Sequence, residues 1–148
     1  MSDVWISQGA GMGARYNEEQ KARMLLTHIA EPGDERIGGL VAEHGAVETL
    51  TLLADGVIPG VLRQRTQRLI ASHCLDVMHD MLNRIAGRFL TPEDDEWPAA
   101  LHDLDTSMPI GLWCRGVGDT STFTESALAI VGARTATAYG ERTASNLG

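Results

Sequence analysis

The chain has 148 residues, with 12 Lys and Arg against 20 Asp and Glu and a formal net charge of -8 at pH 7. That length suits one ordinary domain or two small ones, and the balance of apolar and charged residues excludes disorder as the default state. No apolar run reaches the roughly 18 residues a membrane span needs, and "MSDVWISQGAGMGARYNEEQ" lacks the basic start and apolar core of a signal peptide, so the sequence predicts a cytoplasmic protein with no membrane partner.

Residues 1–15 show little periodicity and are expected to form a flexible N-terminus. Helices are predicted next. Asn17 can cap a first helix with Gln20 at the capping-box position, and Ala22, Leu25, Leu26 and Ile29 fall on one face at i, i+3, i+4 and i+7. "EPGD" ends it. A second short helix is expected over Asp34 to His44 with Gly45 as its stop, and a third places Val47, Leu50 and Leu53 on a face before "DG". After Pro59 the pattern predicts one long helix over residues 61–86, with Ile70, Cys74, Val77, Met81 and Ile85 as its apolar stripe and Gly87 as its close. Residues 16–87 therefore read as a bundle of about four helices joined by hairpin-type turns. Met24, Met78 and Met81 lie on apolar faces, which means core packing.

The period changes at residue 88, where a second unit is expected to begin. "RFLT" is short and extended, Thr91-Pro92-Glu93-Asp94 has the form of a helix start, and "PIGLWCRG" reads as another strand. "ALAIV", residues 127–131, is a continuous apolar strand of the type buried on both faces, and residues 138–147 follow as a helix. Strand, loop and helix in that order belong to doubly wound α/β folds, whose ligands sit beyond the carboxyl ends of the strands. There a glycine lets backbone approach an anion and the next helix offers free N–H groups. Gly132 stands at that place, but G-x-G-x-x-G is absent because Arg134 holds the position of the second glycine. The loop Gly132-Ala133-Arg134-Thr135-Ala136-Thr137 suits an anion gripped by a guanidinium fork, with Thr135 and Thr137 as hydroxyl donors or N-cap. From these residues alone, a loop arginine paired with a carboxylate such as Glu141 is the other reading.

Other chemistry finds less support. Cys74 and Cys114 have no metal or redox spacing and read as reduced thiols used as small hydrophobes. His73, Asp76 and Asp80 share a helix face, yet no H-E-x-x-H or C-x-x-C exists and one helix seldom completes a ligand set, so no metal is expected. Ser7, Ser107 and Ser126 lack a G-x-S-x-G elbow. The acidic run 91–105, "TPEDDEWPAALHDLD", and the basic run "VLRQRTQRL" with Arg63, Arg65 and Arg68 read as solvated faces, the arginines spreading over more than one side of their helix.

"EWPAALHDLDTSMPIGLWCRG" followed by "ALAIVGARTATAYGERTASNL" resembles the DNA-processing protein A (DprA/Smf) family, with its P-x-x-L, then P-x-x-L-W/Y-x-R-G, then strand-V-G-x-R-x-x-S/T-x-Y-G. The two blocks stand in the right order and distance over about residues 97–148. The resemblance implies an α-helical SAM-like, helix-hairpin-type domain over residues 16–87, followed by the start of an α/β Rossmann-like domain over residues 88–148. It implies a non-catalytic single-stranded DNA-binding protein without a cofactor, which protects incoming strands in natural transformation, loads the RecA-type recombinase and works as a homodimer. The phosphate-binding residues it implies are Gly132, Ala133, Arg134, Thr135, Thr137 and Gly140, with Arg134 in the cationic pocket and Tyr139 a packing residue. The family's second motif, S-G-x-A-x-G-I-D, is absent, so the sequence is expected to be a fragment or a truncated reading frame.

Two rivals remain at this level. Nucleoside monophosphate phosphoribohydrolases of the lysine-decarboxylase-like type also begin with a strand and a G-x-R-like loop, and would be marked by a downstream P-G-G-x-G-T-x-x-E. Alternatively, the helical part is a protein-interaction module.

Overall fold

The computed structural model describes residues 15–58, 60–124 and 137–147. The described chain is mostly helical, with one two-stranded sheet. Residues 1–14 of the expected flexible stretch 1–15, and the expected strand 127–131, lie outside these residues.

Helix α1 spans Glu18–Ile29 and begins where the sequence says it should. The Gln20 amide donates to Asn17 Oδ1 at 2.8 Å, and the Asn17 amide donates to Gln20 Oε1 at 3.0 Å, a reciprocal capping box. Ala22, Leu25, Leu26 and Ile29 are buried, and Lys21 and Arg23 are buried as well, so neighbours cover α1 on its polar side too.

Helix α2, Glu35–Asp55, combines the two short helices expected there, hinged at Gly45. With φ 79° and ψ 169°, Gly45 is not helical, a backbone state that glycine adopts without steric cost. The hinge frees the amides of the next turn, and α1 supplies their acceptor: the Glu19 carboxylate takes hydrogen bonds from the Ala46 and Val47 amides at 2.6 and 3.2 Å. Asp34 caps the start of α2, and the Arg36 guanidinium beside it holds its carboxyl below the usual range.

The long helix expected over residues 61–86 is two helices, α3 (Val61–Ala71) and α4 (Cys74–Arg84). The chain turns at Ser72 and His73, where His73 is left-handed at φ 51°. The turn resets the helical phase. Leu75, Met78 and Leu82 face the core, whereas Val77, Met81 and Ile85, the stripe expected inside, are exposed. Both sets have helical spacing, so periodicity could not choose between them.

Strands β1 (Gly87–Leu90) and β2 (Leu112–Arg115) pair antiparallel, with Phe89 opposite Trp113. Their rings meet edge to face at 4.8 Å, and both belong to or pack on the same hydrophobic core as the helices. The Phe89 amide donates to the Tyr16 hydroxyl at 3.0 Å, and the Trp113 indole donates to Thr27 Oγ1 at 3.2 Å. Gly111 has no room for a side chain, since a Cβ there would lie 2.2 Å from the Phe89 ring.

The helix start expected at Thr91 is instead a tight turn. Both the amide and the hydroxyl of Thr91 donate to Asp94 Oδ2, at 2.7 and 2.8 Å, so the carboxylate closes the turn that a helix would have extended. A 3-10 segment, Ala99–Ser107, comes later and lies on α2, where Gly38 passes so close that a Cβ would sit 1.8 Å from the Thr106 carbonyl oxygen. A second 3-10 turn, Ser121–Thr124, precedes α5, Ala138–Leu147.

Candidate nucleic-acid interface

Of the residues implicated in phosphate binding, Gly132, Ala133, Arg134 and Thr135 lie outside the described residues, while Thr137 and Gly140 open α5. The Gly140 amide donates to Thr137 Oγ1 at 3.2 Å, and the Glu141 amide donates to the Thr137 carbonyl at 3.0 Å. Thr137 is therefore the N-cap of α5, one of the two roles its sequence position allowed. The free amides and positive dipole end of the helix begin immediately after the G-x-R loop. Tyr139 is exposed on the first turn of α5.

The first block of the resemblance ends in "LWCRG", which is β2 and Gly116 after it. Arg88 of β1 organises its exit. The guanidinium donates to Glu96 Oε2 at 2.6 Å and to the carbonyls of Gly116 and Gly118. The Glu96 carboxylate raises the Arg88 pKa, keeping the fork charged where it holds that turn. The acidic run is thus partly engaged by its own fold. Glu93 pairs with buried Arg23 at 3.2 Å, Asp94 closes the Thr91 turn and Glu96 pairs with Arg88. Only part of that run is the solvated face expected from composition.

The basic run on α3 divides by position. Arg63 lies over the Gly56 turn. Arg65 and Arg68, three residues apart and so on one helix face, line a groove with His28 of α1, Leu69 and Ser72. Taken together the three arginines spread over more than one side of α3, which hides the pair. The i, i+3 spacing of Arg65 and Arg68 was the available signal, while the approach of His28 is a tertiary fact.

Among the described residues, no three His, Cys, Asp or Glu side chains gather as metal ligands. Cys74 and Cys114 are free, and burial pushes both thiols up, which keeps them protonated and poorly nucleophilic at neutral pH. No described helix is long and apolar enough to cross a membrane.

A family model described as DNA recombination-mediator protein A matches residues 88–148. Two proteins from strains of Mycobacterium tuberculosis, both bearing the name DNA processing protein DprA, are each 34% identical to the chain over 139 residues, covering 86% of this chain and 35% of the relative. The chain thus spans about a third of the length of these relatives. No solved structure matches it. The matched block begins where the periodicity changes, runs through β2 and α5, and contains the G-x-R loop; the chain belongs to the DNA recombination-mediator protein A family.

Proposed function

We propose that the chain binds single-stranded DNA through the G-x-R loop and the N-terminus of α5, in a protein that shields incoming strands and hands them to a RecA-type recombinase. The observation that supports this reading is the helix N-terminus at Thr137, within family-matched sequence that has Arg134 three residues upstream. A phosphodiester needs cationic and N–H donors without side-chain readout, and Arg134 with the first amides of α5 supplies both kinds. Gly132 and Gly140 bring no side chain to the loop and the helix start, and the resemblance assigns Ala133 and Thr135 to the same site. The binding role needs neither a nucleophile nor a cofactor. We extend the same proposal to homodimerisation and recombinase loading by the longer proteins, which is in keeping with the family's description as a recombination mediator.

The test is a titration of labelled single strands of several base compositions, oligothymidylate among them, by fluorescence anisotropy over a range of salt concentrations. Arg134→Ala should weaken binding to strands of different sequence by similar factors and lower the salt slope by about 0.7, one phosphate on a single strand. Loss confined to one base composition, with the slope unchanged, would rule out a phosphate contact.

A further inference from the structure

The groove between the C-terminal turn of α1 and the middle of α3 holds cations that the fold does not neutralise. Arg23, Arg36 and Arg88 each meet a carboxylate. Arg65 and Arg68 have none within 4.0 Å among the described residues. Arg65 donates one bond, to the carbonyl of His28 at 3.3 Å, which tethers the arginine beside α1 and leaves the rest of its five-donor fork available. His28 is exposed, and its Nδ1 lies 3.1 Å from the Met24 carbonyl and 3.3 Å from Thr27 Oγ1, so Nε2 is the ring nitrogen left for the groove. Its ring also sits edge-on to Trp113 at 5.7 Å, which restrains its orientation. Half-buried Leu69 adds apolar surface to the same lining.

Two unneutralised guanidinium groups on one face, in a chain with an excess of acids, make a local positive field against a negative whole. Their forked donors match phosphate oxygens, and an imidazole plane beside an aliphatic side chain matches a sugar or an unpaired base.

We infer that the Arg65–Arg68–His28 groove is a second single-strand contact, which grips the phosphodiester backbone of DNA on the helical part of the chain. The inference rests on the DNA-binding reading above and adds a separate site to it. The two arginines hold phosphate oxygens while Leu69 and the His28 ring meet the adjoining nucleoside. Such a contact lengthens the binding track without adding sequence specificity, because nothing in the groove presents a base-edge code.

The crossed experiment uses the full 148-residue chain, labelled oligothymidylate and a salt series, with four proteins: unsubstituted, Arg65→Gln/Arg68→Gln, Arg63→Gln and Arg134→Ala. Both groove arginines are exposed, so glutamine should preserve the fold, with circular dichroism as the check. The double variant should lose about 1.4 from the slope, two phosphates at about 0.7 each, while Arg63→Gln changes it little. A double variant whose slope matches that of Arg63→Gln overturns the groove. If that happens while Arg134→Ala still lowers the slope, the DNA-binding reading stands without the second site. A fall in the double variant with none in Arg134→Ala supports the groove and removes the G-x-R site. No binding by the unsubstituted chain at low salt overturns both.

Discussion

In α1 the residues spaced i, i+3, i+4 and i+7, Ala22, Leu25, Leu26 and Ile29, are at most 1% exposed. In α4 and its C-cap a stripe of comparable regularity, Val77, Met81 and Ile85, stands at 68%, 45% and 37%. The difference lies in how each helix begins. A capping box sets the start of α1, so its phase follows from residues within one turn. Helix α4 starts from a left-handed His73 with no side-chain cap, after a turn that redirects the chain. Its phase depends on how that turn docks. A helix face is thus legible from sequence when its start is chemically marked and one apolar stripe dominates. It is not when two stripes compete and the start is a backbone turn.

The largest test of this contrast is on α4. Leu82→Ala should cost about 2–5 kcal/mol, the range for an apolar side chain removed from a core, whereas Val77→Ala should stay within about 0.5 kcal/mol. Urea unfolding midpoints at a shared slope check the ranking, and a costlier Val77→Ala would put the other stripe inside.

A middle-sized effect belongs to the start of α1. Asn17→Ala removes the acceptor of the Gln20 amide and should cost about 1 kcal/mol, while Asn17→Asp should keep most of the cap. Equal losses in the two variants, read by thermal melts, would show that the box contributes less than the burial behind it.

The smallest effect has the opposite sign. His73→Gly relaxes a residue at φ 51° and should stabilise the protein by up to about 1 kcal/mol, reduced by the extra entropy of a glycine in the unfolded chain. Stability that falls on this substitution would mean that the His73 side chain holds the α3–α4 turn in place.

The sequence by itself determined the features that rest on neighbours in the chain: the Asn17–Gln20 box, the break at Gly45, the strand character of "RFLT" and "LWCR", and the Thr137 start of α5. It also carried the family, because the two blocks are continuous motifs over residues 97–148. Each depends on backbone chemistry acting within a few residues. Only the tertiary structure decided that α3 and α4 separate at His73, that Leu75, Met78 and Leu82 face inward, and that Asp94 closes a turn at Thr91. It also decided that Glu19 caps the second half of α2, that Glu93 and Glu96 serve buried or half-buried arginines, and that His28 meets Arg65 across 37 residues of sequence. The physical reason is common to these cases. A carboxylate or an apolar stripe has several admissible partners in the sequence, and burial, which is a property of the assembled core, selects the one that pairs the buried charges and covers the most apolar area.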